Sequence, residues 1–380
     1  MRKIKTAVIG CGAISGIYLE NLKNKFSVID LVGCHDHGEA KCRAVAERYG
    51  IRALTLDELL RDESIEMVVN LTPPKAHYTV TKQLLEAGKN VYSEKVLAVN
   101  VEEAKDLVRI ADEKGLYLGA APDTFLGSAL QTARQAVERG LIGKVTSCFA
   151  QDNRDYRMMG QIVKFIPQAG GGMGFDLGIY YITALLSLLG PVKKVNGFLA
   201  YTEEKGRFEL PGEKRFGEQY DIESETILAG TLEFSNGVIG SVQFNSECIF
   251  PEQPVFMLCG TEGVLYLSDP NCFGGTVYYR AKGSAEKTVL PCTFGYSENS
   301  RGLGVAEMAW SILAGRSNRA CKEMACHGLE VLHGIAESSK TDRTCYLTTS
   351  FDLPQPLKSG FLPDYLGADH LIVEEEASLV

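Results

Sequence analysis

What this chain of 380 residues lacks narrows its function before any motif is considered. No stretch reaches the roughly 18 uninterrupted apolar residues of a membrane span, so no transmembrane helix and no membrane partner are expected. The 39 lysines and arginines are scattered and the formal net charge is −9. Binding a phosphate backbone needs a concentrated basic face, so nucleic acid is not an expected partner. The 11 cysteines, spread from Cys11 to Cys345, form no C-x-x-C pair and read as reduced, mostly buried thiols of a cytoplasmic protein. Cys321 lies near the adjacent Cys326 and His327, but a structural zinc takes four protein ligands, and no metal is expected. Internal repeats and low-complexity tracts are absent too. Arg2, Lys3 and Lys5 before an apolar run imitate a secretory signal, yet that run leads directly into strand and helix alternation and reads as a first strand.

What is present starts at that run. From Ile4 an apolar strand enters the turn Gly10-Cys11-Gly12-Ala13-Ile14-Ser15, and a helical segment follows at once. A backbone that turns sharply and lets a pyrophosphate approach has no room for Cβ atoms, which suits Gly10 and Gly12. With Ala13 and Ile14 they form the expected cradle, and the helix N–H groups face the phosphates. Ser15 stands where the fingerprint has Gly or Ala. A second strand, Val28–Cys34, ends near Asp36, about 20 residues beyond the loop, where a carboxylate accepts from a ribose diol and repels a 2′-phosphate. His37 follows, not Arg, so NAD is favoured over NADP. The competing reading makes Asp36 a cap for the helix containing Ala40, Ala44 and Ala46.

Strand candidates Lys3–Gly10, Val28–Cys34, Met67–Leu71, Asn90–Ser93 and Tyr117–Ala120 alternate with helical spacing at Lys41–Tyr49, Tyr78–Ala87 and Val101–Lys114. Such alternation implies an α/β, Rossmann-type parallel sheet covered on both faces. After Pro122 the pattern changes. A helix over Leu126–Arg139, a strand over Lys144–Gln151 and a helix around Asp176–Leu189 precede extended runs at Lys194–Tyr201, Ser224–Phe234, Val238–Cys248, Pro254–Cys259, Gly263–Leu267 and Thr276–Tyr279. Asn236-Gly237 marks a hairpin. Helices at Val305–Ala314 and Glu323–Ser338 then return. The expectation is a domain over residues 1–122 and an α+β domain over 123–380 with a large open, mostly antiparallel sheet. No helices remain to cover both sheet faces, so a homo-oligomer, dimer or tetramer, is expected through that sheet. The tail 373–380, acidic then apolar, reads as frayed or docked on a partner.

Polar residues close three strands at the expected cofactor edge. Asn70, Thr72, Pro73 and Glu94 are candidates for the dinucleotide, as is His77, although Thr-Pro-Pro also simply ends a strand and His77 also starts a helix well. Lys95 should face the oxidised nicotinamide, whose charge disfavours a second cation and lowers the amine's pKa. Such an amine suits alcohol oxidation, in which hydride leaves carbon as the hydroxyl proton is removed. Downstream, Gly170-Gly171-Gly172 leads into Asp176, and spacing of four places its carboxylate and the Tyr180 phenol one helical turn apart. The alternative is an N-cap Asp and a half-buried Tyr. Asn153, Arg154 and Arg157 lie in the long polar segment before the glycines and, with Asp123 at the domain junction, are candidates for a polyol pocket. Solvated surface is the bland account of that segment.

Taken together, the glycine turn, Asp36, Thr72-Pro73-Pro74 with His77, Glu94-Lys95 and the triple glycine before Asp176 resemble the glucose-fructose oxidoreductase, inositol dehydrogenase and MocA family. The resemblance extends over nearly the whole chain, including Gly260-Thr261-Glu262-Gly263. It implies an N-terminal Rossmann domain, a C-terminal open-sheet domain, NAD(P), and oxidation or reduction of sugars, cyclitols or glycosides, glycoside C3 oxidation among them. It implies a catalytic Lys95 and assigns Asp176 to the family's Asp-x-x-x-His motif. Two positions depart. Val96 replaces the family's proline, and Tyr180 stands where the family has histidine. Either the Tyr180 phenol shares proton transfer with Lys95, or Tyr180 only binds and Lys95 acts alone. A non-catalytic sensor of NAD or sugar is the rival reading, and the lost histidine favours it.

Overall fold

The computed structural model describes residues 2–248 and 255–357. The tail 373–380 and the expected first residue of the Pro254–Cys259 strand lie outside them. Two compact units form. The first holds the chain up to Gln131, Thr293–Cys326 and the stretch from Pro354; the second holds Thr132–Cys292 and His327–Leu353.

In the first unit β1 (Ile4–Ile9), α1 (Ser15–Asn24), β2 (Ile29–His35), α2 (Glu39–Tyr49), β3 (Arg52–Ala53), α3 (Leu56–Arg61), β4 (Met67–Asn70), α4 (Pro74–Glu86), β5 (Asn90–Ser93), α5 (Val101–Lys114) and β6 (Leu118–Ala120) alternate along the chain. The strands pair in parallel in the order β3-β2-β1-β4-β5-β6. β4 is buried throughout, as a strand covered on both faces must be. Full burial of each valine in it contributes about 1.5–3 kcal/mol. The order reverses direction between β1 and β4, and ligands of open α/β sheets bind at the carboxyl ends of strands where that happens. α4 begins at Pro74, a turn earlier than expected at Tyr78. Proline is favoured at the first helical position, where its missing N–H has no partner to lose.

The second unit opens in α6 (Ser128–Glu138), which starts in the first, and continues through β7 (Val145–Asn153), α7 (Arg157–Ile162) and a π-helical turn at Gly174–Gly178 that runs into α8 (Ile179–Leu189). Then come β8 (Val192–Ala200), the short ribbon β9 (Lys205–Arg207) and β10 (Gln219–Asp221), β11 (Ile227–Phe234), β12 (Ile239–Asn245), β13 (Val255–Gly260), β14 (Gly263–Tyr266), β15 (Tyr278–Ala281) and β16 (Thr288–Val289). After α9 (Leu303–Ala314) and α10 (Lys322–Thr341), β17 (Cys345–Tyr346) closes the described chain. Nine strands form one sheet in the order β16-β15-β14-β13-β7-β12-β11-β8-β17, antiparallel except for the β12–β7 pair.

The Asn236-Gly237 hairpin joins β11 to β12, with Gly237 at φ +86°. α8 is buried along its whole length, and Tyr181 packs against Phe244 and Phe256 at centroid distances of 5.6 and 5.7 Å. The register places Phe149, Phe198 and Ile239 on the opposite face, where they are 43%, 73% and 50% exposed. Among the described residues no helix is long and apolar enough to cross a membrane.

Candidate functional site

Gly10 ends β1 at φ +96°, and a Cβ there would stand 2.7 Å from the carbonyl carbon of Leu71, so side chains are excluded by both conformation and space. Around the Cβ position of Gly12, by contrast, there is nothing within 4 Å among the described residues. That open wall is what a closely approaching diphosphate requires. α1 starts at Ser15 behind Ile14 with no side-chain cap and no acid in its first turn; the Ser15 N–H turns back to the Gly12 carbonyl at 3.2 Å, and among the described residues no side chain competes with an anion for the N–H groups that follow. Ala13 is exposed beside them.

Asp36 follows β2. Its carboxylate accepts from the Cys11 N–H and the Gly38 N–H, both at 2.8 Å, with Lys41 Nζ at 3.6 Å. Burial works to raise its pKa, but those two N–H groups and Lys41 outweigh it, so the group stays anionic where a ribose diol needs an acceptor.

The strand-end residues divide by whom they serve. Asn70 is fully buried. Its Oδ1 accepts from the Thr72 N–H (3.1 Å) and hydroxyl (2.7 Å), and its Nδ2 donates to Thr81 (3.0 Å), so it shapes the Thr72–Pro73 turn from within. Pro73 itself is exposed and Thr72 half-buried. The buried His77 ring places Nδ1 2.6 Å from the Val96 carbonyl and Nε2 2.6 Å from that of Thr72. It thus bridges the Thr72 turn and the lysine loop. Burial pulls its pKa down against the two carbonyls and Glu94. Glu94 is pinned by the Tyr18 hydroxyl at 2.7 Å and by the Lys95 N–H at 3.0 Å. Lys95 itself is half-buried, and the peptide bond to Val96 is cis. Asp123 turns inward: it accepts from the N–H groups of Gly302 (3.1 Å) and Gly304 (2.9 Å) at the start of α9. Burial lifts its carboxyl to about 6 in spite of them. In that position it caps a helix of its own unit and has no acceptor to spare at that oxygen for a polyol.

In the second unit, Asp176 sits in the π-helical turn and Tyr180 in the first turn of α8, both buried. The Tyr156 hydroxyl donates to Asp176 Oδ2. Burial, then the Asp176 charge, lift the Tyr156 pKa, and Tyr180 is near enough to add to the rise. Three groups therefore gather, and Tyr156, which lies between Arg154 and Arg157 in the long polar segment and was not singled out from the sequence, is the one that orients the carboxylate. Arg154 is held by Asp152 (2.8 Å) and Asp269 (3.1 Å). Asn153 ends β7, and its buried Oδ1 has no partner among the described residues. Arg157 opens α7; its side chain lies outside the described part of the structure.

A residue that sequence reasoning missed holds the glycine loop. Glu225 is buried and accepts from the Gly174 N–H at 3.0 Å. A Cβ on Gly172 would stand 2.2 Å from its carboxyl, which is why glycine is found there. Burial raises its carboxyl to about 7. Apart from the glycines themselves, no sequence signal pointed to it.

A six-stranded parallel sheet with a glycine corner at its switch point and an acid closing the second strand defines a Rossmann dinucleotide-binding protein, here joined to an open-sheet α/β unit. The chain belongs to the GFO/IDH/MocA family: the model described as an oxidoreductase family with an NAD-binding Rossmann fold matches residues 4–121, and the GFO/IDH/MocA C-terminal domain matches residues 130–266. Residues 4–121 are thus the family's NAD-binding Rossmann domain.

Among its relatives, an uncharacterized oxidoreductase of Schizosaccharomyces pombe is 33% identical over 204 residues, 52% of this chain and 55% of that protein. D-glucoside 3-dehydrogenase of Escherichia coli is 29% identical over 246 residues, 62% and 68% of the two chains. The chain spans about half the length of the first curated relatives it matches, 55% of one and 53% of another. In fold it is similar to levoglucosan dehydrogenase in complex with NADH and L-sorbose, with a TM-score of 0.79 and 18% identity over 92% of this chain and 100% of that one.

Proposed function

We propose that the protein is an NAD-dependent dehydrogenase acting on a secondary hydroxyl of a sugar, glycoside or cyclitol, with oxidation at C3 of a glycoside as the favoured reaction. The observation that carries this is the Asp176 carboxylate, fixed by Tyr156 with Tyr180 at hand, beneath a loop of glycines. Bound NAD supplies the hydride acceptor. The chain supplies the rest. Gly10, Gly12, Ala13, Ile14 and Asp36 hold the dinucleotide. Asn70, His77 and Glu94 fix the Thr72–Pro73 turn and the lysine loop. Lys95 takes the hydroxyl proton. Asp176 and Tyr180 bind and orient the hydroxyl, with Asn153, Arg154 and Arg157 near the same polyol. The likeness to D-glucoside 3-dehydrogenase supports the C3 assignment.

In functional terms we divide the chain into a cofactor part, residues 1–122, which the folded unit completes with Thr293–Cys326, and a substrate and assembly part in the rest of 123–380. The exposed Phe149, Phe198 and Ile239 support a homo-oligomer through the open sheet face. The described cysteines are free thiols, which supports a reducing, cytoplasmic setting.

The test is the appearance of NADH absorbance with purified protein, NAD and a panel of sugars, cyclitols and glycosides. Turnover with a glycoside and a 3-keto product is the expected result. Tight NAD binding with no turnover across the panel sinks the dehydrogenase reading and leaves a sensor.

A further inference from the structure

Beside Tyr156, within the second unit, lies a cavity of about 440 Å³, inside the roughly 300–1,000 Å³ range of small-molecule sites. Tyr156 lines it, and the hydroxyl of the same residue donates to Asp176. Whatever fills the cavity therefore lies against the phenol that orients the proposed substrate carboxylate.

Its wall offers complementary polar groups. Gln161 is 6% exposed. Its Oε1 is used up by the N–H groups of Glu209 (2.7 Å) and Leu210 (3.1 Å), while among the described residues its Nε2 meets only the Met158 thioether at 3.8 Å. A primary amide carries two N–H donors, and a sulfur at that distance is a poor acceptor, so a buried donor stands ready at the cavity wall. Glu225, 4% exposed, supplies a buried carboxyl on the same lining.

Tyr220 forms an aromatic wall, packed at 4.7 Å between centroids against Phe208 and so close to Gly206 that a Cβ there would stand 2.2 Å from the ring. Hydroxyl groups, each a donor and an acceptor, match a fixed donor and a fixed acceptor at once. The charge on the wall selects further. Asp155, Glu203, Glu209 and Glu247 join Glu225, five carboxyl groups against two cations, Arg207 and Lys205, the latter already paired with Asp221. A carboxylate or phosphate on the ligand would meet like charge.

Building on the dehydrogenase reading, we propose that this cavity is a second sugar subsite, holding a neutral glycosyl unit linked to the ring that Asp176 binds. The substrate is accordingly a disaccharide or an oligosaccharide end, without an acidic group on the second ring.

The test is calorimetric titration of the full-length protein, with NADH present, using methyl glucosides on one side and cellobiose, maltose, sucrose and trehalose on the other. At least one disaccharide is expected to bind about tenfold more tightly than either methyl glucoside. Gln161→Glu keeps the Oε1 acceptor but replaces the amide donor with a charge, and is expected to bring that advantage below about threefold. Tyr220→Ala serves as a second variant, and an unchanged Tm beside unchanged NADH affinity certifies that each variant is folded. Equal binding of mono- and disaccharides by the native protein overturns the subsite, as does an advantage that survives both substitutions. Because binding is read without turnover, a protein that discriminates disaccharides but reduces no NAD would leave the subsite standing and remove only the dehydrogenase reading.

Discussion

The nucleotide corner of the first unit and the glycine loop of the second solve the same problem, a backbone held open around a ligand, by opposite means. In the corner, backbone packs against backbone at Gly10 and Leu71, and one carboxylate, Asp36, gathers the Cys11 and Gly38 N–H groups beside it. In the loop, a side chain does the holding, with Glu225 reaching Gly172 and Gly174 from another element altogether. The first arrangement follows from the parallel packing of neighbouring strands and the steric needs of the glycine turn. The second depends on a carboxyl whose ionisation is sensitive to pH.

The largest effect is expected where chemistry is assigned to a single amine. Lys95→Met should lower kcat by about 10²–10⁴-fold while leaving the Kd for NADH within about threefold. Comparison with Tyr180→Phe in pH–rate profiles shows whether the phenol shares the proton. Normal turnover by the lysine variant removes both versions. Next comes the backbone corner itself. Gly10→Ala forces a Cβ into the Leu71 carbonyl region at a positive φ, a strain of order 1–3 kcal/mol, to be read as a lower Tm together with weakened NAD binding.

The glycine loop gives a pH effect of comparable or smaller size. Burial raises the folded-state pKa of Glu225 to about 7, above the ordinary glutamate value, so between the two values the folded protein binds more protons than the unfolded one and stability falls as pH rises. A tenfold difference in proton affinity between the two states is worth about 1.4 kcal/mol, and the whole effect is at most about 3–4 kcal/mol. Glu225→Gln should flatten that part of a stability–pH curve measured by denaturant unfolding. Asp123, raised to about 6 on its helix start, has the same sign over a narrower window in the first unit, so a residual slope should persist below pH 6. The smallest change is Tyr156→Phe. Losing the hydroxyl on Asp176 should lower kcat about tenfold, since hydrogen bonds to charged groups are worth about 1.5–3 kcal/mol and water replaces part of that. An unchanged kcat would mean that Tyr156 only packs.

How much of this could be read in the sequence tracks the same contrast. The strand and helix order of the first unit, the parallel sheet, the glycine corner and Asp36 were legible because apolar periodicity and backbone sterics act over a few residues. The mostly antiparallel sheet was legible from its alternating strands and the Asn236-Gly237 turn. The ribbon of Lys205–Arg207 and Gln219–Asp221 was not: three residues with no apolar alternation carry no strand signal. Nor was the inward role of Asp123, because the N–H groups it accepts belong to Gly302 and Gly304, far along the chain. Tyr156 and Glu225 share that difficulty. Each acts on a residue brought near only by tertiary packing, and a lone tyrosine or glutamate in a polar segment looks the same whether it is solvated or buried.

The cap that Asp123 places on α9 is one of several ties that make the first unit discontinuous. Asn21 donates to the carbonyls of Asn299 and Arg301, and Gly304 lies so close to Tyr92 that a methyl group there would strike its phenol. A fragment cut after the sixth strand would keep every residue of the nucleotide fingerprint and still leave the outer flank of its sheet uncovered. Grafting this cofactor module onto another protein would therefore require transplanting two separated stretches, and a screen of N-terminal truncation products should find that cofactor affinity returns only when the downstream helix is supplied in trans.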